Sequence, residues 1–358
     1  MTELEKTLVI LSPGFPKNEA DSTCIPPQQV FVRNLKLQYP KLNIVVLAFE
    51  YPFYSSSYQW NNVSVISFGG ANKGGLTRLN NWRRARSVLK QLNKQYQLIG
   101  LLSFWMGDCA FVADRFARKH NLKHFCWILG QDAKPGNKYF KWIKLKAENL
   151  IALSDFIATE VKGNYSTIPA HVIPVGVDPK LFGDPSPTRD IDILGVGSLI
   201  PLKLYSLLIN MIATLHIYFP GIRAVICGDG PERHLLESLI KDYGLEKNIQ
   251  LIGELPHNTV LALMQRTKVF AHPSSYEGLG MVCLEALYAG AQVVSFVRPM
   301  DQPIKNWHFA KTPDDMVNIL KRLLDDPSSS KGKIAPYFIA DTCNKIISLF
   351  DYNDSAIS

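Results

Sequence analysis

No stretch of this 358-residue sequence is apolar for long enough to cross a bilayer. The first apolar run, 8–11, follows Glu3, Glu5 and Lys6 and is too brief for the core of a signal peptide. It reads instead as a buried strand, and a cytoplasmic location is expected. Cysteine is sparse and scattered: Cys24, Cys109, Cys126, Cys227, Cys283 and Cys343 form no C-x-x-C pair, and no His stands at ligand spacing from them. That pattern excludes a zinc site and a disulfide framework, leaving the cysteines as small buried apolar residues. Internal repeats and long low-complexity tracts are also missing. Acid is scarce in one half only. Up to Lys180 there are 23 Lys+Arg against 12 Asp+Glu, a balance of +11; beyond it 16 stand against 19, a balance of −3. An anionic partner is therefore expected to meet the first half.

What is present is an alternation of apolar, β-rich runs with helix-length stretches, the pattern of parallel sheets covered by helices on both faces. Strands are predicted at 8–11, 43–48, 63–67, 99–103, 124–129, 150–153 and 171–174, then at 191–196, 223–227, 249–252, 269–272 and 292–296. The length suits two domains better than one. Between the two strand sets lies Phe182-Gly-Asp-Pro-Ser-Pro-Thr-Arg189, rich in turn formers. The predicted division is 1–182 for an N-terminal domain and 183–335 for a C-terminal one. A second break at 325–332 precedes 336–358, an amphipathic closing helix able to pack back on the N-terminal domain.

Chemistry concentrates in His272-Pro-Ser-Ser-Tyr-Glu-Gly-Leu-Gly-Met-Val-Cys-Leu-Glu-Ala-Leu-Tyr-Ala-Gly290, a strand end, a glycine turn and a helix start. Gly278 and Gly280 let backbone approach a ligand closely, and the amides of Leu279, Gly280 and Met281 fall at a helix N-terminus, where phosphate is favoured. Glu277 and Glu285 can face one crevice and accept hydrogen bonds from hydroxyl groups. Taken alone, two such glutamates read first as part of an ordinary strand-turn-helix unit with solvated carboxylates.

The segment closely resembles the E-x7-E motif of the retaining glycosyltransferases of family 4, which usually reads like P-S-x-x-E-G-F-G-x-x-x-L-E-A-x-A-x-G. Other landmarks follow in order. Val172-Ile-Pro-Val-Gly-Val-Asp178 with Phe182 resembles I-P-N-G-V-D-x-x-x-F, Val196-Gly-Ser-Leu-Ile-Pro-Leu-Lys203 resembles V-G-R-L-x-x-x-K, and Cys227-Gly-Asp-Gly-Pro231 resembles a G-x-G-P element. The likeness runs from about residue 150 to about 326, while the first 130 residues match in general layout only. It implies an α/β fold of the GT-B type, two Rossmann-like doubly wound domains facing across a cleft, with the donor site mainly in the second. It also implies that Glu285 binds the ribose of a nucleotide-sugar, that Glu277 contacts the donor sugar and that Lys203 holds the diphosphate, with Glu277 and Lys203 as the catalytic pair. Gly197, Ser198, Gly278, Leu279, Gly280, Met281, Gly253 and Leu255 would complete the donor site, with Gly14 from the first domain. No cofactor and no metal are implied, and Asp190-Ile-Asp192 reads as structural.

Three positions depart from the family pattern. Ser198 stands where Arg usually meets the diphosphate, leaving Arg298 or Lys305 as possible substitutes. The loop Ser12 to Pro27 lacks the usual double glycine. Leu129-Gly-Gln-Asp132 has Leu in place of His, with Gln131 or Asp132 as stand-ins. Two stretches, 78–94 and 134–146, combine Lys and Arg with Trp, Tyr and Phe. They suit either an anionic membrane surface or a solvated helix face; no nucleic-acid motif accompanies them. The expected function is transfer of a sugar, hexosyltransferase-like and metal-independent, from a nucleotide-sugar to a glycan, lipid-linked or small-molecule acceptor. Cell-surface polysaccharide synthesis on the inner membrane face fits this reading. The alternative is a non-catalytic scaffold or partner protein that keeps the fold but has lost part of the diphosphate clamp.

Overall fold

Runs of Val, Ile and Leu buried on both sides suit the strands of covered parallel sheets. The computed structural model describes residues 4–143, 145–184, 188–326 and 332–353 and contains two such sheets. The chain divides into two compact units, one taking the residues up to Val175 together with those from Ile339, the other Gly176–Phe338. Of the two predicted breaks, residues 185–187 and 327–331 lie outside the described residues.

The first unit is built in the order β1 (Lys6–Gly14), α1 (Pro26–Gln38), β2 (Asn43–Tyr51), β3 (Ser55–Trp60), β4 (Val63–Phe68), α2 (Gly75–Gln95), β5 (Gln97–Phe104), α3 (Asp108–His120), β6 (His124–Ile128), α4 (Tyr139–Trp142), β7 (Leu150–Ala152), α5 (Asp155–Tyr165) and β8 (His171–Val172). Its eight strands lie in the order β3-β4-β2-β1-β5-β6-β7-β8. The order turns at β1, whose Leu8, Val9, Ile10 and Leu11 are wholly buried, so the crevice beyond the ends of β1 and β5 is a topological switch point. Only β3 runs antiparallel, against β4. Its sequence, Ser-Ser-Ser-Tyr-Gln-Trp, carries no apolar run, and it was not among the predicted strands.

The second unit follows as β9 (Ile191–Val196), α6 (Tyr205–His216), β10 (Ala224–Cys227), α7 (Arg233–Asp242), β11 (Ile249–Leu251), α8 (His257–Gln265), β12 (Thr267–His272), α9 (Met281–Tyr288), β13 (Gln292–Ser295), β14 (Trp307–Phe309) and α10 (Pro313–Asp325). Here the order is β11-β10-β9-β12-β13-β14, all parallel, with the switch between β9 and β12. Ile193, Leu208, Ile212, Leu236, Val269 and Ala271 lie in one continuous core. The unit's two ends meet, Val177 N donating to Tyr337 O at 2.9 Å.

The last helix, α11 (Ile339–Ser348), belongs to the first unit. It buries Ile339, Cys343, Ile346 and Ile347, lies on α1, and donates from Thr342 Oγ1 to Pro174 O at 2.8 Å. No helix among the described residues is long and apolar enough to cross a membrane.

Candidate active site

At the carboxyl ends of β9, β10 and β11, backbone meets backbone. Gly197 N donates to Cys227 O at 3.0 Å, Leu199 N to Asp229 O at 2.9 Å, and Gly228 N to Gly253 O at 2.8 Å. Gly228 has φ +147, and a Cβ there would stand 1.9 Å from Gly197 O. Only glycine permits the approach. Behind it, Tyr205 is wholly buried against Gly195 and Gly197. The turn Pro201–Lys203 is thereby fixed beyond β9, and it ends at Leu204 in the left-handed region, φ 53.

The loop from β12 to α9 is tied to that turn. Ser275 N and Oγ both donate to Leu202 O, at 3.1 and 3.2 Å. The tie brings Lys203 Nζ to 2.6 Å from Glu277 Oε2, with 18% and 25% of the two side chains exposed. His272, the last residue of β12, is buried, and its Nε2 lies 3.0 Å from the same oxygen. A carboxylate only accepts, so His272 Nε2 carries the proton and donates. Burial lowers the His272 pKa and outweighs the Glu277 contact, which raises it. Burial alone would raise the Glu277 pKa, but His272 and the Lys203 ammonium together bring it down to about 2. At neutral pH, Glu277 is therefore ionised and accepts hydrogen bonds; it does not serve as a proton donor.

Gly280, at φ 71, opens α9, and the amides of Leu279, Gly280 and Met281 make no backbone hydrogen bond among the described residues. These three donors sit at the positive end of an eight-residue helix. About one turn into α9, Glu285 is buried at 8% exposure. Its Oε1 lies 2.8 Å from Nε2 of His257, the first residue of α8. Each motif glutamate thus has a histidine partner. Sequence reading missed both. His272 carried one signal, a histidine at the end of an otherwise apolar strand; His257 carried none.

Ser198 is exposed beside Gly197. Arg298 spends Nε and Nη2 on the carbonyls of Met300 and Asp301 in its own loop, and Lys305 is exposed. Gly253, at φ +77, follows β11, and Leu255 stands two residues on, next to Pro256. Both aspartates of Asp190-Ile-Asp192 are structural, Asp190 paired with Arg266 and Asp192 with Lys268 at 2.7 Å. In the first unit, Gly14 ends β1 and accepts from Ser12 Oγ at 2.6 Å. Asp132 accepts the amides of Met106, Leu129 and Gly130 at 2.8, 3.2 and 2.8 Å. Burial raises its pKa to about 6 against those hydrogen bonds. Its oxygens are committed to the backbone. Among the described residues, no group of three or more His, Cys, Asp or Glu is placed to hold a metal ion.

The two basic stretches converge on one face of the first unit. Phe111 of α3 is ringed by Trp82, Tyr139 and Trp142, with centroids at 4.6, 6.3 and 6.1 Å. Arg115 covers Phe111 at 4.2 Å and Lys138 covers Trp142 at 4.8 Å. Trp142 is 47% exposed, and Leu76 and Leu79 of α2 also face solvent. Residue 144 of the second stretch lies outside the described residues.

The chain is similar to several known proteins over part or most of its length. A phosphatidylinositol N-acetylglucosaminyltransferase subunit of Homo sapiens is 35% identical over 127 residues, 35% of this chain and 26% of that protein. The Arabidopsis thaliana counterpart is 27% identical over 176 residues, 46% and 39% of the two chains. Glycogen synthase of Mycobacterium tuberculosis is 24% identical over 222 residues, 59% and 54%. The matches thus span between about a quarter and about half of these relatives' own length. Sucrose-phosphate synthase from Thermosynechococcus elongatus superposes with TM-score 0.73 at 17% identity, covering 97% of this chain and 95% of that one. The Anabaena protein HepE, in complex with UDP and glucose, superposes with TM-score 0.67 at 16% identity, covering 96% and 97%. These likenesses show the GT-B fold over nearly the whole chain. The profile of "Glycosyl transferases group 1" matches residues 179–335, which contain Lys203, Glu277 and Glu285. Over that span the chain carries a group 1 glycosyl transferase domain.

Proposed function

We propose that the protein is a retaining glycosyltransferase that takes its sugar from a uridine diphosphate sugar. The observation that carries the reading is Glu277, held ionised by Lys203 and His272 beside the open amides of α9. An ionised carboxylate there accepts hydrogen bonds from the hydroxyls of the donor sugar. Lys203 and the amides of Leu279, Gly280 and Met281 supply positive potential where the departing diphosphate gains charge, so they count most in the transition state. Glu285 receives the ribose hydroxyls, Gly197 and Ser198 line the phosphates, and Gly253 and Leu255 face the base. In front-face attack the departing phosphate itself accepts the acceptor's proton, so no further base is required. UDP is chosen because HepE is described in complex with it and glucose. The acceptor class is glycan or lipid-linked, as the names of the relatives, acting on phosphatidylinositol or making glycogen, suggest. No metal or cofactor enters the reaction.

Calorimetric titration with UDP, GDP and ADP tests the reading. UDP should bind tightest, and Glu285→Ala should weaken it by about 30-fold, the loss of a charged hydrogen-bond pair. No binding by the folded wild type would move the scaffold alternative, in which Ser198 marks a lost clamp, to first place.

A second reading concerns the basic face. The convergence of both stretches around Phe111, with Trp142, Leu76 and Leu79 exposed, supports docking on an anionic membrane surface at the inner face of the membrane. Lys138→Glu should then lower co-sedimentation with anionic vesicles by about 5-fold at low salt, from about 1 kcal/mol per basic residue. Equal binding to neutral and anionic vesicles would sink it.

A further inference from the structure

We infer that His257 is a positioning residue that makes the donor site selective for a ribonucleotide, by fixing the carboxylate of Glu285. The inference rests on the reading of Glu285 as the ribose-binding residue. Glu285 is nearly buried, and its carboxylate reaches 2.8 Å from a single nitrogen of His257. The two residues come from different helices. His257 opens α8 directly after Pro256, whose ring limits the backbone entering the helix, and Glu285 lies in the middle of α9. Val260, Leu261 and Met264 of α8 are buried, and α8 packs against α9, so the imidazole is delivered from a fixed position.

The consequence follows from the chemistry of the pair. Two vicinal hydroxyls can donate to one carboxylate only when its plane is set. A glutamate with three free rotors has that plane set for it by a neighbour or by the ligand. Here Nε2–H occupies one lone pair of Oε1, leaving Oε2 and the rest of Oε1 for the diol. The ordering is done before the nucleotide arrives, so binding gains the hydroxyl contacts without a rotor penalty. A nucleotide without those hydroxyls finds the same carboxylate and gains nothing from it. The position of His257 in the chain matters too. Gly253, Glu254, Leu255 and Pro256 precede it, so the segment expected to face the base also sets the ribose carboxylate.

The test uses the full chain with UDP and 2′,3′-dideoxy-UDP as probes, titrated calorimetrically against wild type, His257→Ala, His257→Gln and Glu285→Ala. His257→Ala should weaken UDP by about 10-fold, the worth of a charge-assisted hydrogen bond, and leave dideoxy-UDP within about 2-fold of wild type. His257→Gln, whose amide can donate along a similar line, should recover most of the loss. Adding His257→Ala to Glu285→Ala should cost UDP nothing more. Equal weakening of both probes by His257→Ala, or the lack of any rescue by His257→Gln, would reduce the residue to a support for α8 and overturn the inference. A folded wild type that binds neither probe would overturn the donor-site reading, and this inference with it. Selective binding of UDP over dideoxy-UDP that survives His257→Ala would overturn the inference alone.

Discussion

Two enclosed carboxylates stand at the strand ends of the two sheets, and they are held in opposite ways. Glu277 in the second unit faces a lysine and a histidine, and its pKa falls to about 2. Asp132 in the first faces three backbone amides and no cation, and its pKa climbs to about 6. Burial pushes both upward; the partners decide the sign. Amide dipoles suffice to fix a loop, as Asp132 fixes the turns after β5 and β6. Keeping a charge ready for a ligand takes a counter-charge. One carboxylate is committed to backbone amides and the other to a lysine and a histidine, although both sit beyond the end of a parallel strand.

The largest test of this contrast is to remove the counter-charge. On the proposed reading, in which Lys203 stabilises the leaving diphosphate, Lys203→Ala should lower the transfer rate by about 10²- to 10³-fold and leave Glu277 with His272 alone. Single-turnover kinetics with a UDP-sugar would measure it. A loss under about 3-fold would mean that the ion pair is structural, like the caps on Asp132.

A smaller effect sharpens the contrast through pH. Asp132, raised from 3.8, binds its proton more tightly in the folded state, so its contribution falls as pH rises from about 4 to about 6. Glu277, lowered from 4.5, contributes fully above that value and loses its contribution as pH falls towards 2. Acidifying from pH 7 to 5 should therefore strengthen the first unit by on the order of 1 kcal/mol through Asp132 while leaving the Glu277 contribution in place. Hydrogen exchange at the amides around Leu129 and Gly130, compared between wild type and Asp132→Asn, reads the first effect. Urea midpoints of wild type and Glu277→Gln between pH 4.5 and 2.5 read the second. Parallel rather than opposed trends would show that the amides and the cations act alike.

How much of this was legible in the sequence depends on how local each feature is. Lys203, Glu277 and Glu285 could be singled out because their motifs are continuous in the chain and run from a strand end into a turn or helix. Every predicted strand falls on an observed one, since each is an apolar run of the length a covered parallel sheet requires. The antiparallel edge strand β3 escaped because its buried contacts alternate with exposed serines, and β14 because three residues carry no pattern. The histidine partners escaped for a different reason. His257 meets Glu285 across the packing of α8 on α9, and such a pairing leaves no spacing to read. The commitment of Asp132 to three amides was equally hidden, because two of the residues it caps are its neighbours and the third, Met106, follows another strand.

The return of α11 to the first unit sets an order in time. The first sheet is finished when β8 is made, but the helix that covers α1 leaves the ribosome only after the whole of Gly176–Phe338 has been synthesised. At about 5 to 20 residues per second, that interval lasts roughly 8 to 30 s. For that time the apolar face that Ile339, Cys343, Ile346 and Ile347 will cover stays open on the nascent chain, so the first unit is the earlier to be made and the later to be completed.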